Sequence, residues 1–222
     1  MAVEGIAQPL LRKDAVRNRQ RILAAARELF ADRGLSVTLN DIAHHADVGV
    51  GTVYRHFPDK GLLIEELFDD ELREIVGLLE AARQDPDPWH ALTVFLEQVL
   101  ERQATDRGLK ELLLGAPGAP ERIQKTRSIL HPLAAELVER ARAAGAVRPD
   151  CEPQDFGVLQ LMVGAVIDAG REVAPDLWRR YLAITLQGLR AQPARCEPLP
   201  TPAVSPQAMD GLLMGAQKAR RS

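Results

Sequence analysis

The chain is poor in several things at once. Its 222 residues include two cysteines, Cys151 and Cys196, too far apart for a CxxC pair or any metal-ligand spacing. A disulfide scaffold and a cysteine-based metal centre are therefore not expected. Charge of one sign is also lacking, since 28 Lys and Arg stand against 31 Asp and Glu. There is no long apolar run: the longest uncharged one, FGVLQLMVGAVI (156–167), is too short to cross a bilayer and suits a buried helix. MAVEGIAQPL has neither a cationic start nor a sustained apolar core, so no signal peptide is expected. No membrane partner and a cytoplasmic location follow as expectations. Aromatic residues make up only 4%, which makes any local gathering of functional side chains conspicuous.

What is present is helical periodicity. No stretch keeps up strand alternation, and the breaks are too widely spaced for a sheet protein. In AVRNRQRILAAARELFADRG, Ile22, Ala26, Leu29 and Phe30 form an apolar stripe, and Gly34 is placed to end it. Thr38 and Asp41 form a capping-box start for LNDIAHHA, a helix of about two turns. A tight connection at Asp47-Val48-Gly49 leads to a second short helix from about Val50 to His56. Pro58 suits the first turn of a long helix that continues to about Arg83. Further helical stretches read at 89–105, 108–114, 120–143, 153–171 and 175–191, with a kink or break expected after His131 because Pro132 follows. From Pro193 the chain turns proline-dense and reads as a disordered tail. The fold class is all-α: a three-helix unit (14–60), a larger helical body (61–192) and the tail (193–222).

Charge is distributed unevenly. Residues 1–60 carry nine Lys and Arg against seven Asp and Glu, and the rest of the chain carries the acidic excess. LRKDAVRNRQR (11–21) holds five cations and one anion. Such an arm orients a molecule toward a polyanion, though a solvated helix face has the same look.

The stretch DVGVGTVYRHFPDK (47–60) crowds Thr52, Tyr54, Arg55 and His56 into five positions. Two short helices around a tight turn, after a longer helix, make a helix-turn-helix, whose second helix enters the DNA major groove. Val48, Val53 and Phe57 would then face the core, and Gly49 and Gly51 would let the backbone approach DNA. Thr38, Thr52, Tyr54 and His56, with the cation of Lys60, are candidates for phosphate contact. The backbone N–H groups of Thr38 and of residues 50–52 are further candidates. Val50 is the candidate for a thymine methyl and Arg55 for a guanine edge.

These residues closely resemble the DNA-binding segment of the TetR family of bacterial transcription regulators. Its pattern is roughly T-x-x-x-I-A-x-x-A-G-V-S-x-G-T-x-Y-x-H-F-x-x-K-x-x-L. Thr38, Ile42, Ala43, Ala46, Val48, Gly51, Thr52, Tyr54, His56, Phe57 and Lys60 fall on it. Two positions depart: Asp47 and Gly49 stand where the pattern has Gly and Ser. Gly49 removes a capping hydroxyl and Asp47 adds an anion near the DNA surface. The resemblance implies double-stranded DNA with a palindromic operator as partner, a homodimer, and a small-molecule ligand that relieves repression.

It also implies an interface from the last two helices. Candidates there are Gly157, Leu161, Gly164, Ala165 and Ala169, then Leu177, Tyr181, Ile184 and Leu189, rimmed by Arg179, Arg180 and Arg190. The implied pocket would use Phe95, Val99, Gln103, Phe156 and Gln160, with Trp89, Leu112 and Met162 as further candidates, and would suit a neutral or weakly polar ligand.

Other chemistries find little support. Gly49-Val50-Gly51-Thr52 lacks the preceding strand and the Gly-Lys-Ser/Thr ending of a phosphate loop. His44-His45 and His56 lack companions for a metal set, and Ser128 with His131 lacks a nucleophile motif. No cofactor and no enzymatic activity are expected. The alternative to a regulator is a helical ligand-binding or scaffold protein with weak, non-specific DNA binding.

Overall fold

The computed structural model describes residues 7–191 and, beyond them, residues 199, 204, 205 and 208. Most of the proline-dense tail, with the disorder expected of it, lies outside the described residues. Among the described residues there are nine α-helices and no strand beyond one isolated bridge, Val147 with Arg190. None of these helices is long and apolar enough to cross a membrane.

The first helix, α1 (Ala7–Arg33), starts well before the periodic stripe and ends where Gly34 adopts φ +71°. A single 3-10 turn (Gly34–Ser36) leads to α2 (Leu39–His45) and α3 (Val50–His56). Ile22, Ala26, Phe30, Ile42, Val53 and Phe57 from these helices share one core, each burial worth about 1.5–3 kcal/mol for the larger side chains. The long helix α4 (Lys60–Gln84) begins later than Pro58 suggests, because the Asp59 carboxylate accepts the Leu62 N–H and makes Asp59 the N-cap.

The body comprises α5 (Pro88–Thr105), α6 (Arg107–Leu113), α7 (Glu121–Ala143), α8 (Pro153–Gly170) and α9 (Leu177–Leu189). The expected break at Pro132 does not occur; α7 runs unbroken through it. Proline removes the N–H that would bond the Ser128 carbonyl, but both residues are exposed on that face. Water can satisfy the freed carbonyl while Leu130, Leu137 and Val138 stay buried on the other side.

The three-helix unit and the body share a continuous core. At the junction Phe30 of α1 and Phe68 of α4 lie 6.1 Å apart, centroid to centroid. Gly108 of α6 packs between them, where a side chain would meet Phe68 at 2.9 Å. The short helix α6 also holds the unit by polar contacts. Arg107 donates to the Asp32 carbonyl (3.0 Å), and the Glu111 carboxylate accepts the Leu35 N–H (3.0 Å). On its other side Lys110, almost wholly buried, pairs with Asp168 of α8.

Candidate nucleic-acid interface and effector cavity

Local chemistry sets α2 and α3. The Thr38 hydroxyl accepts the Asp41 N–H (3.2 Å) while the Asp41 carboxylate accepts the Thr38 N–H (2.8 Å), closing a capping box. The Thr38 hydroxyl also donates to that carboxylate (2.6 Å), and these bonds hold the Asp41 carboxyl below the usual carboxylate range. Between the helices Asp47 takes φ +50°, the left-handed region where glycine is at ease and Asp is tolerated. Gly49 then serves as N-cap of α3 without a side-chain hydrogen bond.

The helix α3 divides cleanly into two faces. Val53 is buried, Phe57 closes the end beneath it, and Val48 packs at the edge. Val50, Gly51, Tyr54 and Arg55 are exposed, and Thr52 and His56 are half-buried beside them. A side chain at Gly51 would meet nothing within 4 Å. The side chains of Thr52, Tyr54, Arg55 and His56 make no hydrogen bond or ion pair with the described residues. They form one outward polar surface around a bare stretch of backbone.

The basic arm behaves differently. Arg12 and Lys13 lie in α1, but their side chains fall outside the described placement. Arg17 pairs with Asp14. Arg19 pairs with Glu66 of α4 and covers the Phe57 ring, 5.2 Å from its centroid. Arg21 reaches the Asp47 carbonyl (3.0 Å) and carboxylate (3.2 Å), closing over the α2–α3 turn. Arg17, Arg19 and Arg21, the described cations of the arm, are each paired within the protein.

Three other expectations need correction at the level of atoms. The Lys60 ammonium donates to the carbonyls of Leu35 (2.5 Å) and Val37 (3.1 Å), so it braces the 3-10 turn and the link into α2 and is not an open cation. The N–H of Thr38 is bonded to Asp41, and that of Thr52 to the Gly49 carbonyl (2.8 Å). Neither is available as an anion donor. Sequence reasoning also missed Arg19 and Arg21 as fasteners of this unit; no local signal marks them, because Glu66 and Asp47 are distant in sequence.

In the body, α4, α5, α7, α8 and the end of α6 enclose a cavity of about 370 Å³. Ile75, Leu79, Phe95, Val99, Leu113, Leu114, Leu130, Val138 and Phe156 give it an apolar wall, and Arg127, His131, Gln154 and Gln160 add polar groups. Phe95, Val99, Phe156 and Gln160 of the expected set meet there. Gln103 stands behind the wall, fully buried and 3.5 Å from Gln160. Leu112 packs in the core, Trp89 lies half-buried beneath Arg190, and Met162 points outward from α8, so none of them lines the cavity. The cationic and imidazole contributions of α7, Arg127 and His131, were not read from the sequence.

The interface candidates also separate. Gly157 lines the cavity and Gly164 is buried against Lys110, so neither serves an outer face. Arg179 pairs with Glu97 and Glu101 of α5 and lies over Trp178, and Arg190 covers Trp89. Met162, Val173, Leu177, Tyr181 and Ile184 remain as large exposed apolar residues along α8, α9 and their connection.

Residues 22–67 match the family described as bacterial regulatory proteins, tetR family, and residues 87–191 match the C-terminal domain of SbtR-like transcriptional regulators. YhgD of Bacillus subtilis, an uncharacterized HTH-type transcriptional regulator, is 30% identical over 171 residues, covering 72% of this chain and 88% of its own. The chain belongs to the TetR family. A second relative, the HTH-type regulator SAB2452 of Staphylococcus aureus, is 32% identical over 101 residues, 45% of this TetR-family chain and 55% of that one. The chain thus spans about half the length of that curated relative. A TetR regulator of Streptomyces coelicolor, SCO0520, superimposes with a TM-score of 0.52 at 26% identity, over 78% of this chain and 99% of its own. A TetR-family regulator of Agrobacterium tumefaciens has the same fold (TM-score 0.60, 19% identity, 80% and 100% covered). The family and these relatives are regulators, not enzymes.

Proposed function

We propose that this TetR-family protein binds a palindromic operator as a homodimer and represses transcription in the cytoplasm, until a small molecule enters the cavity of its body. The observation that carries this reading is the contrast on the three-helix unit. The arm's described cations are paired internally, while Thr52, Tyr54, Arg55 and His56 of α3 stand outward without partners around Gly51. Polar groups left so exposed on a rigid helix suit a major groove, with Arg55 set for a guanine edge and Val50 for a thymine methyl. Thr38, committed to its cap, and Lys60, committed to the loop, position the helix pair.

Coupling would run through α6. Leu113 and Leu114, at its end, line the cavity, and Arg107 and Glu111 hold the backbone at Asp32 and Leu35. An occupant that shifts α6 acts on the three-helix unit directly, and it relieves binding only by its preference for the shifted state. A γ-butyrolactone receptor of the same fold (TM-score 0.58, 19% identity) is one protein in which this architecture serves a ligand.

The test is selection of bound fragments from random duplex DNA, followed by affinity measurements across salt concentration. A palindromic consensus is expected, with affinity falling steeply as salt rises. Arg55→Ala should relax preference at one position per half-site at a cost of about 1–3 kcal/mol. Binding blind to sequence would favour the scaffold reading, for which the exposed Asp47 carboxylate beside α3 speaks.

A further inference from the structure

On its α5–α8 side the cavity backs onto a pair of amides. Phe95 and Val99 of α5 and Phe156 and Gln160 of α8 line it, each pair one turn apart on its helix. One turn further along α5 stands Gln103, fully buried. Its amide nitrogen donates to the Gln160 Oε1 at 3.5 Å, the outer limit of a hydrogen bond. Neither amide has another hydrogen-bond partner among the described residues.

Two amides joined by a single bond leave over one carbonyl oxygen and one NH₂ group. Here these are the Gln103 Oε1, sealed from solvent, and the NH₂ of Gln160, a residue of the cavity wall. A buried acceptor left unpaired is a standing cost that apolar packing cannot remove. A hydroxyl fits what remains, since it donates one hydrogen bond and accepts others. An ether can only accept, and an ammonium group can only donate. Turning both amides over leaves the same two groups, so a hydroxyl matches them either way. Gln160, whose terminal torsion is broad and whose one bond is long, can swing to admit an oxygen to Gln103.

We propose that the ligand of this cavity carries a hydroxyl that completes the Gln103–Gln160 pair, with an apolar body against Phe95, Val99, Leu130 and Phe156. This rests on the reading of the cavity as the effector site and adds the group by which the effector is recognised. Gln103 lies in the last turn of α5, just before Asp106, whose carboxylate accepts the Leu109 N–H and caps α6. A hydroxyl held by Gln103 therefore acts at the joint into α6, whose contacts at Asp32 and Leu35 hold the three-helix unit.

The experiment is calorimetric titration of the full chain, free of DNA, with two pairs of isomers. Octan-1-ol is paired with 1-methoxyheptane, and 4-butylphenol with 4-propylanisole; each ether keeps the formula and the acceptor of its partner and loses the donor. A cavity without a polar partner favours the ether, which gives up less hydration on entry. In at least one pair the hydroxyl compound should instead bind about tenfold or more tightly. Gln103→Met and Gln160→Met should each bring that pair within about threefold. Gln103→Met should also raise the melting temperature of the free protein, because it removes the unpaired acceptor and keeps the length of the side chain. Ethers that bind as well as the hydroxyl compounds, a hydroxyl preference that survives both variants, or no binding by either hydroxyl compound below about 1 mM would each overturn the proposal. So would a Gln103→Met chain that melts lower or fails to fold by circular dichroism, since its oxygen would then be satisfied within the fold. Repeating the titrations on the complex with selected DNA separates the two readings. Hydroxyl-selective binding that leaves DNA bound keeps the ligand group and removes the effector role. Release by the ethers as readily as by the hydroxyl compounds does the reverse.

Discussion

Single positions in the α2–α3 region set local stability against approach to DNA. Gly51 sits inside a seven-residue helix with open space where its side chain would be. For a free helix this is a loss, since glycine there costs about 0.5–1 kcal/mol relative to alanine. Gly51→Ala should therefore stabilise the fold by that energy and raise the melting temperature, while weakening operator binding several-fold, because the added methyl stands on the face proposed to meet DNA. A melt and a fluorescence-anisotropy titration on the same sample check both signs. Asp47 presents the mirror case. It holds a left-handed φ of +50° with a solvent-exposed ion pair to Arg21, and exposed pairs contribute little. Asp47→Gly should stabilise the domain by about 0.5–1 kcal/mol. It should also tighten DNA binding, with a steeper salt dependence, since it removes an anion beside α3 and leaves the Arg21 guanidinium bonded there to a backbone carbonyl alone. A weaker, flatter binding curve for this variant would show that Asp47 fixes the turn in a way glycine cannot.

Among the elements, α6 has the most consequential contacts for its length. The Glu111 carboxylate accepts the half-buried Leu35 N–H, and a buried donor stripped of its partner costs about 1–3 kcal/mol. Glu111→Ala should lower the cost of local opening at Leu35 by that amount and speed hydrogen exchange at its amide, with exchange at Val53 scarcely changed. Equal acceleration at both amides would mean that α6 supports the unit as a whole and not at this point. Much of the element level was legible beforehand. The helices at 88–105, 107–113, 121–143 and 153–170 agree with the periodic stretches to within a residue or two, because apolar spacing, aspartate caps and proline starts are local signals. The outward-facing residues of α3 were legible for the same reason: Val53 and Phe57 fix which side is core. The fates of charged side chains were not legible. Lys60 seeks carbonyls of Leu35 and Val37 and Arg19 seeks Glu66, and each partner is brought near only by tertiary packing. Pro132 misled for a related reason, since its cost depends on whether the freed carbonyl meets water.

For the whole molecule, the question is what covers the apolar side of α8 and α9. Met162, Leu177, Tyr181 and Ile184 are exposed there, while Arg179 and Arg190, which could have solubilised that side, turn toward α5 and Trp89. The tail contributes at one edge, where Val204 packs near Leu114, Val158 and Leu161. A second copy of the chain is the occupant that the proposed palindromic operator calls for. A stable dimer buries about 1,200–2,000 Å² in total, and its centre is apolar and poor in charge. The double variant Met162→Glu with Ile184→Glu places two carboxylates per protomer in that centre while touching neither α3 nor the cavity. It should sediment as a monomer that melts cooperatively, and its affinity for the full palindrome should fall about 10²–10⁴-fold through loss of linked half-sites. Its affinity for a single half-site should stay close to that of the wild type, because the recognition surface is intact. If the double variant remains dimeric, or if half-site and palindrome affinities fall together, the pairing surface lies elsewhere, and the apolar side of α8 and α9 must meet a different partner.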